Sequence, residues 1–583
     1  MRDSSDAAGG PVVKLGYATY EGYYNDTYDL NIWKGIRYAA PPIGKLRWQA
    51  PQAVKTPKYG PPPVTAAVDQ PPICPQSGAF GTPEVYGFNS GPGDEDCLYL
   101  NVYAAPDASD LPVLVWIHGG GYQLFGATYD PSVWINTNNN GFIVVEIQYR
   151  LGAFGFLSSK AVKKKGKLNA GLLDQQFALA WVQKHISKFG GDPDRVTIAG
   201  ESSGAGSVMH HALAYGGKDS KLFTNVIAAS PYAPPLYSYD ETVPTGHYAA
   251  FVKLAGCGKG SPDRKKHGNA FDCLVAADSA VLQSASGTVS TTRGYFGSFS
   301  WLPVIDGDFI QGRPSRQLHL GRVSGKHLLV GNNANEGVPL TNPAVKTQAQ
   351  YNDFVTNTFP LFSNADTARL HETYQLDQAQ PGDDDPRFDT LGDRGPTALN
   401  QSSYATGIQQ AVFNIAGEST FDCPAQWFAE AYSTDSRKVW KYQYSVTPSH
   451  HGADLSAYFA VGAAVPNADF RHAFQKIWGN FVIHNSPIIS VADATAGYKN
   501  ATVPKRGNKI RWPKYSLKNP QHMDLNTTGG EVTLVPVTDE LSFYVRSGVG
   551  IVNTFRLANG WTWEGGRGAR CGFWRAVSAK VPY

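Results

Sequence analysis

The chain has 583 residues and a formal net charge of +3, with 42% hydrophobic and 17% charged residues. This length and apolar content allow a large buried core, and the small net charge without a basic stripe argues against nucleic acid as a partner. No apolar run approaches the roughly 18 residues needed to cross a bilayer, so we expect no transmembrane segment.

The cysteines and glycosylation sequons indicate an extracellular protein. Six cysteines, an even number, are typical of disulfide-bonded secreted proteins, although sequence alone cannot choose among the possible pairings. The polar first residues contain no signal-peptide core. We therefore expect a secreted glycoprotein whose signal peptide has been removed. The candidate glycosylation sites are Asn25, Asn400, Asn500 and Asn526.

Short continuous apolar runs predict strands that are buried on both faces. Between the second and third runs, Leu172, Leu179, Val182 and Ile186 recur at helical spacing, and the Gly-Gly-Asp-Pro of 190–193 ends that helix. The lysine run 163–165 predicts a solvated loop. Strands that alternate with helices predict an α/β fold, and without a visible boundary we expect one domain over 1–583. The strand runs are 113–117, 143–147, 196–199, 226–229 and 327–330.

Residues 200–204 read Gly-Glu-Ser-Ser-Gly and directly follow the run 196–199. A G-x-S-x-G at a strand end predicts a nucleophile elbow, a tight turn that projects the serine hydroxyl into the site. Small residues two positions before and after the serine are needed because larger ones would collide across the turn. Ser202 is therefore the candidate nucleophile. In a chain with 61 glycines the pattern also arises by chance, so its surroundings must support it.

A His-Gly-Gly-Gly segment at 118–121 follows the first apolar run. Three glycines leave backbone N–H groups accessible to a carbonyl oxygen, although the same residues could form a plain flexible turn. We interpret the segment as an oxyanion hole. Its donors are the N–H groups of Gly120 and Gly121, joined by that of Ser203 after the nucleophile.

Candidates for the acid and the base follow the serine, with the acid between serine and histidine in chain order. Glu336, in Asn-Glu-Gly, lies just past the run 327–330, and the adjacent His450 and His451 follow the strand-like stretch 439–442. Taken alone, a surface glutamate and a structural histidine would be the simpler interpretations.

The chain resembles the type-B carboxylesterase/lipase family, cholinesterase-like members of the α/β-hydrolase superfamily that include fungal lipases. The matching motifs extend through nearly its whole length. They read WKGIRYA at 33–39, EDCLYLN at 95–101, YRLG at 149–152, NAGLLDQ at 169–175, FGGDP at 189–193, PVIDG at 303–307, NEG at 335–337 and HGADL at 451–455.

The resemblance implies a large, mostly parallel central sheet flanked by helices, with long surface insertions. It also implies a triad of Ser202, Glu336 and His451, without metal or cofactor. His451 is preferred to His450 because the family histidine precedes a glycine, an acidic residue and an aliphatic one. Ser203 departs from the family, where alanine is usual. The implied disulfides are Cys74–Cys97, Cys257–Cys273 and Cys423–Cys571.

The loop between Cys74 and Cys97 overhangs the site in this family. It contains no tryptophan, whereas cholinesterases carry one there to hold a quaternary ammonium by cation–π attraction. Its absence argues against choline esters, and a loop shorter than the fungal lipase lid weakens the case for interfacial activation. The candidate pocket residues, which ordinary core packing would explain equally well, are Phe80, Tyr122, Phe299 and Trp301.

These inferences predict a fungal-type carboxylesterase that acts on small-molecule or lipid esters through an acyl-enzyme. A long-chain lipase or sterol esterase is an alternative. A catalytically dead binding protein on the same fold is disfavoured because Ser202, Glu336 and His451 are all present. The sequence does not indicate an oligomeric state.

Overall fold

The computed structural model describes residues 10–82, 87–218, 220–375, 397–399, 401–434, 436–460 and 466–581. Within these residues, eleven strands form one sheet in the order β18-β15-β12-β11-β10-β9-β7-β8-β6-β4-β3, and the other strands form three small sheets. The strands are β1 Val12–Lys14, β2 Thr19–Glu21, β3 Tyr23–Asn25, β4 Leu30–Arg37, β5 Val64–Ala66, β6 Tyr99–Ala104, β7 Leu111–Ile117, β8 Ile143–Ile147, β9 Gly191–Glu201, β10 Asn225–Ala229, β11 His327–Asn333, β12 Lys438–Tyr444, β13 Lys505–Arg506, β14 Lys509–Ile510, β15 Gln521–Thr528, β16 Glu531–Thr538, β17 Leu541–Ser547 and β18 Val552–Asn559.

Helices cover both faces of the large sheet. A π-helix at Glu418–Asp422 separates α13 from α14, and 3-10 turns lie at Gly44–Leu46 and Ile186–Phe189. The helices are α1 Ser132–Thr137, α2 Gly152–Phe156, α3 Lys160–Lys165, α4 Ala170–His185, α5 Ser203–Gly217, α6 Thr242–Leu254, α7 Pro262–His267, α8 Ala270–Ala276, α9 Ser279–Thr292, α10 Pro314–His319, α11 Gln348–Thr358, α12 Asn364–Tyr374, α13 Gly407–Gly417, α14 Cys423–Ala431, α15 Leu455–Phe459, α16 Ala468–His484, α17 Val491–Thr495 and α18 Trp563–Val577.

The central strands of the sheet are parallel, from β8 through β7, β9, β10, β11 and β12 to β15. Antiparallel strands flank them, with β6, β4 and β3 on one side and β18 on the other. Each apolar run of the sequence lies in a parallel strand, so the prediction of a mostly parallel α/β-hydrolase sheet is confirmed. Because parallel strands end at the same edge, their following loops converge there.

The helix predicted before the nucleophile is α4, and the 3-10 turn Ile186–Phe189 extends it to Gly190. Gly190 ends this segment because it adopts a φ of 82°, and a Cβ there would lie 2.1 Å from the carbonyl oxygen of Ala108. The predicted loop at the lysine run is wrong. These residues form the last turn of α3, which begins where the Ser159 side chain accepts a hydrogen bond from the N–H of Val162.

Three disulfides link the cysteines in the pairs that the family resemblance implies. Cys74–Cys97 closes the loop near the site, and Cys257–Cys273 joins the end of α6 to α8. Cys423–Cys571 ties α18 to the start of α14. None of the helices in the described ranges has the length and apolar character of a membrane span.

Candidate active site

The strand-to-helix turn at Ser202 is a strained elbow. Ser202 lies between β9 and α5 with φ 58° and ψ −126°, a conformation that costs an L-residue of its kind about 1–3 kcal/mol. Its neighbours leave no room for side chains, since a Cβ on Gly204 would lie 2.0 Å from the carbonyl oxygen of Ile117, and one on Gly200 would lie 2.5 Å from the backbone of Gly204. Sequence and packing therefore hold the serine hydroxyl at the edge of the sheet.

Ser202, His451 and Glu336 form one continuous chain of hydrogen bonds. His451 Nδ1 lies 2.6 Å from Glu336 Oε2, and Nε2 lies 2.8 Å from Ser202 Oγ. A carboxylate only accepts, so Nδ1 carries a proton, and when the imidazole is neutral the serine hydroxyl donates to Nε2. The three residues follow β9, β11 and β12, whose carboxyl ends meet at this edge.

The Glu336 carboxylate is fixed on the side away from the imidazole. Its Oε1 accepts hydrogen bonds from the Ser230 hydroxyl and from the backbone N–H of Asn333, each at 2.5 Å. Only 1% of Glu336 is exposed. These two donors leave Oε2 for His451, whose own backbone N–H donates to the carbonyl of Val338 at 2.8 Å.

The glycines at 119–121 curl beside the serine. A Cβ on Gly119 would lie 3.0 Å from Ser202 Cβ, which shows how closely this backbone approaches Ser202. Gly120 and Gly121 have φ values of 100° and 62°, a region that favours glycine. In the described part of the chain, the N–H groups of Gly120, Gly121 and Ser203 have no protein acceptor, so they can donate to a bound oxygen.

Ser203, the departure from the family pattern, is fully buried and bonded. Its hydroxyl oxygen accepts a hydrogen bond from the backbone N–H of Tyr122 at 3.1 Å. The extra oxygen thus ties the elbow to the glycine loop and does not disturb the turn.

A second buried carboxylate, Glu201, adjoins the imidazole. Its Oε1 lies 3.6 Å from His451 Nε2 and has no hydrogen-bond partner among the residues described. Burial raises the pKa of Glu201 to about 8. Burial lowers the pKa of His451, but the charges of Glu201 and Glu336 outweigh it and raise that pKa to about 9. Sequence reasoning missed Glu201, although this residue is the first x of the G-x-S-x-G motif, directly before the serine.

His450 has a different environment from His451. Its Nδ1 lies 2.8 Å from the hydroxyl of Tyr404, and burial lowers its pKa to about 4. Of the two histidines, His451 is the one that lies within hydrogen-bond distance of Ser202 Oγ. Phe421 is a second residue that sequence reasoning missed, and its ring centroid lies 4.2 Å from that of His451.

The comparisons with known proteins identify the family. A model described as the Carboxylesterase family matches residues 9–544. This chain belongs to the carboxylesterase family. The carboxylesterase chain is 29% identical over 524 residues to an acetylcholinesterase of Bungarus fasciatus, covering 85% of this chain and 78% of that one. It is 33% identical over 513 residues to Lipase 1 of Geotrichum candidum, covering 79% of this chain and 84% of that one.

Solved structures give the same result. Aspergillus niger EstA superimposes with a TM-score of 0.73 at 26% identity and covers 99% of both chains. A PNB esterase superimposes with a TM-score of 0.67 at 25% identity, covering 88% of this chain and 96% of that one. The carboxylesterase is accordingly a carboxylic-ester hydrolase with the α/β-hydrolase fold.

A cavity of about 870 Å³ lies beside the hydrogen-bonded residues of this carboxylesterase. Its lining includes Glu336 and Phe421, whose ring covers the imidazole, but not Ser202 or His451 themselves. Three of the four predicted pocket residues, Phe80, Phe299 and Trp301, also line it. Such a volume is in the range of pockets that enclose a whole small ligand.

Phe299 is the pocket aromatic nearest to the glycine loop, because a Cβ on Gly121 would lie 2.4 Å from its ring. Trp301 is only 2% exposed, and its indole N–H donates to the carbonyl of Ser286 at 3.1 Å. Tyr122 is not among the lining residues. It is fully buried, and its ring packs against that of Phe156 at 5.2 Å, on the core side of the glycine loop.

The disulfide-closed loop pairs with the segment that carries Phe299. The N–H of Phe80 donates to the carbonyl of Ser298 at 3.0 Å, and the N–H of Gly297 donates back to Phe80 at 2.9 Å. Farther along, the ring of Phe88 lies 6.2 Å from that of Phe299. The described part of the loop therefore contributes Phe80 to the lining of the pocket.

The sequons occupy different environments. Asn500 is exposed, Asn25 is half-buried at the end of β3, and Asn526 is half-buried within β15. Asn400 lies outside the described residues. Within those residues, no group of three or more histidine, cysteine, aspartate or glutamate side chains could hold a metal ion.

Proposed function

We propose that this carboxylesterase acts through an acyl-enzyme on Ser202, with His451 as general base and Glu336 as the residue that orients it. The observation that carries the proposal is the unbroken hydrogen-bond chain from the strained Ser202 through His451 to Glu336. The whole chain serves as one catalytic domain, since the residues come from loops spread along the sheet.

The reaction begins when Ser202 Oγ attacks the ester carbonyl and His451 Nε2 takes its proton. The carbonyl oxygen becomes an oxyanion, which the N–H groups of Gly120, Gly121 and Ser203 stabilise. Each such donor contributes about 2.7–4 kcal/mol to the transition state. The imidazolium then gives the proton to the leaving alcohol, and the serine remains esterified by the acyl group.

Deacylation repeats these steps with water. His451 takes a proton from the water that attacks the acyl carbonyl, and it returns that proton to Ser202 Oγ as the acid leaves. Glu336 keeps Nδ1 protonated throughout, so that Nε2 is always the basic nitrogen.

The size of the cavity bears on the size of the ester that the site could take. The cavity of about 870 Å³ supports esters with a bulky or long acyl group. This observation favours, as a second candidate, a long-chain lipase or sterol esterase. The missing loop tryptophan continues to argue against choline esters. We further propose that the protein is a secreted glycoprotein, which the three disulfides support.

Covalent labelling and a substrate series test the proposal. A serine-directed organophosphate should modify Ser202 alone, as mapped by peptide mass spectrometry, and Ser202→Ala should lose hydrolysis of p-nitrophenyl acetate. Retained hydrolysis in Ser202→Ala, or labelling of another serine, would refute the mechanism. Rates on p-nitrophenyl esters from acetate to palmitate, with and without an emulsion, separate the candidates. A sharp rate increase on emulsified long-chain ester identifies a lipase.

A further inference from the structure

The π-helix Glu418–Asp422 packs against His451, the base of the proposed triad. Phe421 is 1% exposed, and its ring lies over the His451 imidazole with centroids 4.2 Å apart and planes at 32°. The carbonyl of Thr420 accepts a hydrogen bond from the N–H of Ala233 at 3.0 Å, next to Tyr232, whose N–H donates to the carbonyl of Ser202 at 3.1 Å. An extra residue inside a helix is frequently found at functional sites.

The turn before the π-helix packs directly on the acid. A Cβ on Gly417, the last residue of α13, would lie 3.2 Å from Glu336 Cβ and 2.9 Å from the backbone nitrogen of Gly337. A Cβ on Gly337 would in turn lie 2.0 Å from the carbonyl oxygen of Phe413. This close packing fixes the start of the π-helix against the loop that carries Glu336.

The C-terminal helix α18 fixes the π-helix from the opposite side. The buried Glu418 carboxylate accepts hydrogen bonds from Arg567 Nε at 3.1 Å, from Arg570 Nε at 2.7 Å and from Arg570 Nη2 at 2.6 Å. The hydroxyl of Tyr374 donates to its Oε2 at 2.8 Å. At the other end of the π-helix, Asp422 Oδ1 lies 3.6 Å from Arg567 Nη1.

A covalent bond follows these ionic contacts. Cys423, the residue after the π-helix, is joined to Cys571 of α18. Two arginines thus bind Glu418 at the start of the π-helix, and the disulfide at Cys423 holds the end of the π-helix. Fully buried, multiply bonded ionic groups define geometry well, because displacing one leaves charges without partners.

We propose that the C-terminal helix acts as a clamp on the catalytic base, with Glu418, Arg570 and Phe421 as positioning residues for His451. Glu418 and the arginines hold the π-helix in place, and the π-helix holds the Phe421 ring against the imidazole. The ring restricts rotation of the imidazole away from Ser202 and faces the imidazolium that forms during attack. The inference rests on the proposed function, since it assigns a role relative to the base.

The first test uses Phe421→Leu with p-nitrophenyl acetate, whose small acyl group does not depend on the large cavity. We expect kcat to fall about tenfold while KM stays within about twofold, since orientation of the base is lost and not binding. Phe428→Leu is the matched control, because Phe428 is a fully buried ring of α14 that packs on Tyr432 and not on His451. This control should be less stable than the unaltered protein. Its kcat, calculated per labelled Ser202, should equal that of the unaltered protein.

The second test asks whether α18 acts through Phe421. Arg570→Lys cannot reproduce the two-nitrogen contact with Glu418, and we expect a several-fold lower kcat with unchanged KM. In the double variant with Phe421→Leu, kcat should be no lower than with Phe421→Leu alone. Tyr374→Phe, which removes one hydroxyl from Glu418, replaces Arg570→Lys in the same cycle if that variant does not fold.

Organophosphate labelling of Ser202 gives the active fraction for every variant. If the unaltered protein neither hydrolyses the ester nor is labelled, the proposed function and the inference both fail. If the unaltered protein is active and labelled but Phe421→Leu has the same kcat, the inference alone is refuted. Losses that multiply in the double variant refute the action of the clamp through Phe421.

Discussion

The charge of Glu201 can be tested through the pH dependence of hydrolysis. Glu201 Oε1 lies 3.6 Å from His451 Nε2, so its negative charge favours the imidazolium. His451 must lose this proton before it can act as a base, and activity therefore rises with pH through the pKa of the pair. Replacing Glu201 with glutamine keeps the side-chain volume and removes the charge. The acidic limb of kcat/KM should then move to lower pH.

Coulomb's law gives the size of this shift. Two unit charges 3.6 Å apart interact by about 1 kcal/mol at the dielectric constant of water and by about 5 kcal/mol at an effective value of about 20. At 1.36 kcal/mol per pKa unit, these limits correspond to about one and about three units. Burial raises the pKa of Glu201 itself to about 8, so its carboxylate is only partly ionised at and below that pH. We therefore expect a downward shift near the lower limit, about one unit.

The assay is kcat/KM for p-nitrophenyl acetate measured across the acidic limb, with rates corrected for spontaneous hydrolysis. Glu531→Gln, which removes an exposed carboxylate at the start of β16, is the control and should leave the limb in place. A limb that stays in place in Glu201→Gln, or that moves to higher pH, would refute the electrostatic argument.

Three further variants probe the glycine loop and the pocket. Gly121→Ala forces a Cβ to within 2.4 Å of the Phe299 ring, and kcat/KM for the acetate ester should fall about 100-fold by steady-state kinetics; an unchanged value contradicts its donor role. Ser203→Ala leaves the Tyr122 N–H without its acceptor, so calorimetry should record a loss of about 1–3 kcal/mol, and equal stability would exclude this tie. Phe299→Ala should raise kcat/KM for branched acyl esters relative to acetate, and an unaltered ratio would remove Phe299 from the acyl pocket.

The parts of the site that the sequence predicted all follow buried parallel strands. The runs that end near Ile117, Glu201 and Asn333 have continuous apolar patterns, and the loops after them carry the short motifs. A residue just after a parallel strand lies within a few ångströms of the residues that follow the neighbouring strands, because parallel strands share one edge. Its place can therefore be predicted without long-range information. For this reason the glycine loop and Ser202 could be proposed from local pattern, whereas Glu336 was proposed through the family resemblance.

The features that the sequence did not predict depend on contacts between distant segments. Phe421 precedes His451 by about one helix and one strand, and its position depends on a π-helix that has no sequence signature. The short helix α3 was missed because its three lysines dominate the composition, although Ser159 caps it and Val162 is buried. The hairpin of β16 and β17 was also missed, since Pro536 interrupts the alternation that would indicate a strand.

The two carboxylates near His451 have different tasks because their hydrogen bonds differ. Glu336 Oε1 accepts hydrogen bonds from the Ser230 hydroxyl and the Asn333 N–H, so Oε2 approaches the imidazole from a fixed direction. Oε1 of Glu201 is buried without a partner among the described residues, and its distance of 3.6 Å from His451 is too long for a hydrogen bond. In the proposed mechanism, Glu336 therefore sets the orientation of the imidazole, whereas Glu201 changes the free energy of its proton. For this reason we expect the pH profile to respond to Glu201, and the direction of proton transfer to depend on Glu336.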